Sequence, residues 1–216
     1  DINGKTMIER VWLKCLEATS SEKIVVATDD ERIERHCKKK KINVIMTSKN
    51  CKTGSDRVAE VSKKIAADFY INVQGDEPLI NPRDIKKVIE DFKLNGITNC
   101  AATTVKNKTE LQNTNIPKLV TNKENFLMYI SRADIPANKN GNYSKIKKQV
   151  CIYSFSREAL NLFGKDSKKT ELEGIEDIEI LRVIENNFQV KIINIDSDSI
   201  AVDTPEDLEK VKKLCK

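Results

Sequence analysis

Two short acidic segments carry the residue types in this chain best suited to chemistry. They are Gln74-Gly75-Asp76-Glu77-Pro78 and Ala201-Val202-Asp203-Thr204-Pro205-Glu206-Asp207. The first follows the apolar run Tyr70 to Val73, so Gly75 allows a tight backbone and Asp76 projects from a strand end. A hard divalent cation such as magnesium takes one or two carboxylates together with the phosphates of a substrate, and Asp76 has that chemistry. The same Asp also suits the opening of a turn before a helix beginning near Pro82. Asp203 precedes a Thr-Pro pair, where acidic residues favour a helix entry through capping and the helix dipole. Read alone, each segment leaves both alternatives open.

Other candidates are weaker. The six cysteines are scattered, with no Cys-x-x-Cys pair, and His36 is the sole histidine, so a zinc site of the usual kind is not expected. Most cysteines fall inside apolar patterns and read as small buried hydrophobes in a reducing cytosol. Cys51 lies in a polar stretch, where a reactive thiol and a tolerated loop residue are both open. The basic run Lys38 to Lys41 ends a helical pattern and reads as a solvated helix terminus. Aromatics are 5% of the chain and acidic residues are mixed with the basic ones, which argues against a nucleic-acid partner despite the net charge of +5. No stretch approaches the ~18 to 20 consecutive apolar residues of a membrane span. No leader is visible, although the chain opens on Asp1, so an upstream segment is expected to be absent from it. The expected setting is the cytoplasm.

The elements that must position Asp76 and Asp203 alternate in period. Helical stripes are expected at 7–18 (Ile8, Val11, Trp12, Cys15, Leu16), 30–40, 55–66 (Val58, Val61, Ile65, with Ser55 as cap) and from Asn81-Pro82 onward. The apolar run at 23–28 reads as a strand buried on both faces, and 43–46, 69–73 and 99–105 read as further strands. Segments 119–120 and 126–129 could pair as antiparallel strands, and Asn113 to Asn115 and Asn138 to Asn142 read as loops. Then come a strand (149–155), a helix (157–163), a helix (175–185), a strand (190–195) and a last helix from Thr204-Pro205 that buries Leu208, Val211 and Leu214. This order predicts a single α/β domain with a mostly parallel mixed sheet, helices on both faces and an excursion at about 106–150. In such sheets ligands sit beyond the C-terminal strand ends, here the loops after Thr28, Met46, Val73, Phe155 and Ile195.

Taken together the segments are more specific. DINGKTMIERV (1–11), TGSDRVAE (53–60), INVQGDEP (71–78), YISRADIP (129–136) and VDTPEDLE (202–209) occur in the order seen in 3-deoxy-manno-octulosonate (Kdo) cytidylyltransferases, which the chain resembles over nearly its whole length. The resemblance implies a Rossmann-like fold of the nucleotide-diphospho-sugar transferase type. It implies transfer of CMP from CTP to the anomeric hydroxyl of an acidic sugar for lipopolysaccharide assembly, with magnesium held by Asp76 and Asp203. It assigns Thr53, Ser55 and Arg57 to the cytosine and ribose, and Gln74 to the sugar. Arg132 would receive the sugar carboxylate bidentately, and Tyr153 and Glu179 would wall the sugar pocket. A homodimer is also implied, with the excursion as the contact.

Three departures stand against this pattern. The basic loop of the type PARxxSxRxPxK, and the first strand that carries it, do not occur in the chain. Gln149 stands where the family often has His, and Ile180 follows Glu179 where it often has Gln. The two substitutions are expected near the sugar pocket and bear on which sugar acid is accepted. Two alternatives stay open: a cytidylyltransferase for another acidic sugar, such as amino-Kdo or a sialic acid, and a non-catalytic nucleotide-binding protein.

Overall fold

In the strands of this chain successive apolar side chains go to opposite sides, and both sides are covered. The structure, a computed structural model, describes residues 1–137, 139, 145–196 and 199–215. Six strands form the main sheet: β3 (Tyr70–Val73), β4 (Asn99–Thr104), β5 (Lys118–Thr121), β6 (Leu127–Ser131), β7 (Lys147–Phe155) and β8 (Lys191–Asn194). β1 (Val26–Thr28) and β2 (Val44–Met46) form a separate parallel pair.

β7 is the central strand. β4 runs along one side of it, while β3 and β5 lie end to end along the other, all antiparallel to it. β8 is parallel to β4 and β6 is antiparallel to β5. Thus β3, β4, β5 and β8 share one direction, and β6 and β7 oppose them. The sheet is α/β and mixed as expected, but its central pairings are antiparallel. The β5–β6 hairpin reverses the chain once after β4, and β7 enters in the direction of β6. One expectation fails as a result: Phe155 lies level with Tyr70, the start of β3, so the loop after Phe155 is at the opposite end of the sheet from the loop after Val73.

Helices cover both faces. On one side Cys100, Ala102, Tyr153, Phe155 and Ile192 pack under α3 (Gly54–Ser62), α6 (Arg157–Leu160) and α8 (Leu181–Glu185). On the other, Ala101, Val150, Ile152 and Ile193 pack under α4 (Pro82–Asn95) and the end of α1 (Met7–Ala18). The alternation along β4, β7 and β8 locks register, because a one-residue slip would exchange the two faces. A smaller core of Val26, Cys37 and Ile42, with Ile8 and Trp12 of α1, joins the β1–β2 pair to α2 (Glu31–Lys39). The last helix, α9 (Pro205–Leu214), is clipped on by Val211 and Leu208 against Ile2 and Val202. Full burial of a side chain such as Val211 contributes about 1.5–3 kcal/mol.

Several elements differ from expectation. α3 is capped by Thr53, not Ser55, in a box with Asp56, and it ends at Ser62, leaving Ile65 40% exposed. The helix expected over 175–185 is broken: Asp177, at φ 52°, closes α7 (Glu171–Glu176), and α8 starts afresh at Leu181. Leu16 and Leu214 are exposed near helix ends, where the apolar stripe runs past the surface it covers. A short helix, α5 (Lys108–Gln112), precedes β5 and has too little periodicity to be read from sequence. The loop expected at Asn138 to Asn142 lies, apart from Lys139, outside the described residues. Lys38 to Lys41 are exposed at the end of α2, with Lys38 paired to Glu34 and Lys40 to Glu9.

Candidate functional site

The Asp76 loop and the Asp203 loop meet. Val202 N–H donates to the Asp76 carbonyl at 2.9 Å, which fixes the entry of α9 against the end of β3. Asp203 is exposed. The helix entry does not use its side chain, because Thr204 caps α9 in a box with Asp207. Capping, the ordinary explanation of an acidic residue there, is therefore supplied by its neighbours. Asp76 is half-buried; burial, and secondarily the charge of Asp203, raise its carboxyl pKa. Its Oδ1 is buried and receives no hydrogen bond among the described residues. Glu77, 4% exposed, accepts from Cys151 N–H at 3.2 Å, and burial followed by the Asp76 and Asp203 charges raises its pKa as well. An unsatisfied buried carboxylate oxygen beside a second carboxylate is costly without a cation. The pair therefore fits one hard divalent ion with substrate oxygens completing its shell.

A second network lies on the α3 side of the sheet. Glu179, just ahead of α8, accepts from Ser55 N–H and from Gln74 Nε2, both at 2.9 Å. Burial raises its pKa, opposed by hydrogen bonds from Ser55, Thr53 and Gln74. Asn72 Nδ2 points at Ser55 Oγ, 3.5 Å away. Gly54 packs closely here: a Cβ on it would stand 3.2 Å from Asn72 Nδ2, which would have to give by a few tenths of an ångström, and in ordinary contact, 3.5 Å, with Gln74 Nε2. Tyr153, 2% exposed, lies opposite both Asn72 and Cys100. Its hydroxyl is pushed well up, first by burial and then by Cys151 and Glu179. Gln149 points Nε2 at the Cys100 sulfur, 3.7 Å away. Cys151 links the two networks: its carbonyl accepts from Gln74 N–H at 3.3 Å and its N–H binds Glu77.

Of the residues expected at the site, Asp76 and Asp203 form one end, and Thr53, Ser55, Gln74, Tyr153 and Glu179 form the other. Gln149 lies on the same face of β7 as Tyr153. Arg57 takes a different direction. Two positions after Ser55 on a helix, it faces the β1–β2 pair, binding Asp29 at 3.0 Å and Thr47 Oγ1 at 2.9 Å. Arg132 sits at the end of β6, where its guanidinium donates to the carbonyls of Thr114, Glu176 and Asp177. Ile180 is fully buried in the core, so its apolar side chain follows from packing and it does not enter a sugar pocket. Cys51 is buried against Glu60, its thiol pushed up to about 11 chiefly by burial, which is the chemistry of an inert residue. Sequence reading missed Asn72 and Glu77. The one available signal for Asn72 was an amide inside the otherwise apolar run Tyr70 to Val73.

The chain is similar to known proteins along nearly its whole length. The family described as cytidylyltransferase matches residues 1–196. A 3-deoxy-manno-octulosonate cytidylyltransferase of Fusobacterium nucleatum is 42% identical over 97% of this chain and 86% of its own length. One from Zea mays is 38% identical over 99% of this chain and 73% of its own. A solved CMP:2-keto-3-deoxy-manno-octonic acid synthetase complexed with CTP superposes with a TM-score of 0.89 at 31% identity, covering 99% of this chain and 89% of that one.

Proposed function

The chain belongs to the cytidylyltransferase family, among the 3-deoxy-manno-octulosonate cytidylyltransferases, and from that premise we propose how its residues divide the work. It transfers CMP from CTP to Kdo, forming CMP-Kdo and pyrophosphate. The anomeric hydroxyl attacks the α-phosphorus, its proton is released, and the bond to the bridging oxygen breaks as pyrophosphate leaves. Such transfers need positioning and charge stabilisation more than covalent participation by the protein.

Asp76 and Asp203 would hold magnesium; the donorless Oδ1 of Asp76 and the backbone bond that brings the Asp203 loop to the same strand end support this. When bound, the cation offsets the repulsion between two anionic substrates and acidifies the attacking hydroxyl. The α3 entrance, Thr53 and Ser55, receives the nucleoside, with Arg57 bracing that entrance against Asp29 and Thr47. Gln74, Gln149, Tyr153 and Glu179 line the sugar, and Arg132, held in one orientation by three carbonyls, meets its carboxylate. We assign the reaction to the cytoplasm, its product to lipopolysaccharide biosynthesis, and the working form to a homodimer in contact through the 106–150 excursion within one continuous domain.

The Val202–Asp76 backbone bond carries this reading, because it brings two sequence-distant carboxylates to one strand end. Pyrophosphate release with CTP, magnesium and either Kdo, amino-Kdo or a sialic acid tests it. Release with Kdo is expected, with a loss of about 10²–10³-fold in Asp76→Ala, the scale for removing one preorganised electrostatic group. Release with a different acid alone would change the substrate, and no release from folded protein would leave only a nucleotide-binding module.

A further inference from the structure

The entrance of α3 rests on a buried charge cluster to which no role in the reaction has been given. Asp56, 1% exposed, accepts five hydrogen bonds. Oδ2 takes the N–H groups of Lys52 and Thr53, each at 3.1 Å. Oδ1 takes Gly164 N–H at 2.9 Å, Ser167 Oγ at 3.0 Å and Arg182 Nη1 at 3.0 Å. Arg182, also 1% exposed, grips Glu173 bidentately, with Nε and Nη2 both at 2.7 Å, and its guanidinium lies 4.4 Å from the Phe163 ring centre. Glu173 is fully buried and accepts from Thr170 N–H at 3.2 Å, in the capping box of α7. Two acids and one base are thus sealed from water with their hydrogen-bonding capacity used. Burial of such a triad is weak evidence for stability, since apolar residues of the same volume often serve as well. What the triad supplies is a single geometry, because only a planar fork satisfies both acids at once.

We infer that Arg182 is a positioning residue that sets the spacing between the nucleoside entrance and the sugar wall. It lies three residues after Glu179. The segment 179–182 therefore grips α3 at two successive residues: Glu179 holds Ser55 N–H and Arg182 holds the Asp56 carboxylate. Asp56 in turn ties down the N–H of Thr53. Displacing Arg182 would let the Thr53–Asp56 turn and Glu179 move independently, and a misplacement of about 1 Å suffices to cost on the order of a hundredfold in kcat/KM. This inference rests on the substrate placement proposed above.

Arg182→Lys, which keeps the charge and removes the fork, tests it in the full chain, with Glu173→Gln as a second variant should the first not fold. The expected result is a rise of about tenfold or more in KM for CTP or for Kdo, a smaller change in kcat, and faster amide exchange at Thr53 to Asp56 in the free protein. Val88→Ala, on the buried side of α4 against the opposite face of the sheet, serves as a destabilised control and is expected to leave KM unchanged. The inference is overturned if the folded Arg182 or Glu173 variant keeps KM within twofold and unaltered exchange at those amides, or if Val88→Ala raises KM equally. Ser55→Ala and Glu179→Gln separate the two levels: if neither moves KM, the substrate placement fails, whereas if they do and Arg182→Lys does not, the positioning role alone fails.

Discussion

At the residue scale the site is defined by carboxyls held away from their ordinary ionisation. Asp76 is raised by burial and by Asp203, and its Oδ1 has no donor among the described residues. Magnesium is therefore expected to raise the melting temperature of the free protein in proportion to the logarithm of its concentration. That shift should vanish in Asp76→Ala and Asp203→Ala; a shift retained in both would place the ion elsewhere. Glu179 offers a pH test away from that pair. Its pKa is raised in the fold, chiefly by burial. Above the ordinary glutamate range the native state then binds more protons than the unfolded one, so this group's contribution to stability falls as pH rises from about 4.5 toward the folded value. Glu179→Gln lacks this titration. The melting-temperature difference, wild type minus variant, should shrink as pH rises through that window, and a flat difference would contradict the raised pKa.

At the element scale the decisive feature is the first turn of α3. Thr53 and Asp56 cap it reciprocally, Ser55 N–H meets Glu179, and Gly54 passes close to the side chains of Asn72 and Gln74. A methyl at position 54 would push the Asn72 amide aside by a few tenths of an ångström. Gly54→Ala should lower kcat/KM by about ten- to a hundredfold, the scale of a small misplacement, with little change in helix stability, since alanine favours helices. Chemical denaturation alongside pyrophosphate kinetics would separate the two, and unaltered kinetics would show that the Asn72 amide shifts freely. α9 works similarly: Thr204 and Asp207 supply the cap, which leaves the side chain of Asp203 outside the capping box.

At the scale of the whole molecule, two sheets of unequal robustness share the helices α1 and α3. α3 touches both β1 and β3, yet no strand hydrogen bonds join the β1–β2 pair to the six-stranded sheet among the described residues. The pair has three-residue strands and its own small core, tied across by Arg57 to Asp29 and Thr47. Regions with short ladders and few buried contacts open first. Amides of Val26 to Thr28 and Val44 to Met46 are expected to exchange faster than those of β4 and β7, and Arg57→Ala should widen the gap. Equal protection in both sheets would mean that they unfold as one unit.

Much of this was legible in the chain itself. Apolar periodicity located α1, α4, β3 and β4 within a few residues, because burial on one stripe or on both faces writes directly into residue order. Asn81-Pro82 and Thr204-Pro205 announced their helices, since capping chemistry is local. The ordered motifs pointed to the family and to Asp76 and Asp203. Tertiary structure decided what depends on contacts between residues far apart in sequence. It turned Arg57 away from Ser55 toward Asp29, buried Ile180 in the core, broke α7 from α8 at Asp177 and ran β7 against its neighbours. It also assembled Asp56, Glu173 and Arg182 into one buried cluster. A lone Asp, Glu or Arg on a helix reads as a solvated charge, and only the packing of three separate helices removes the water that would make it so.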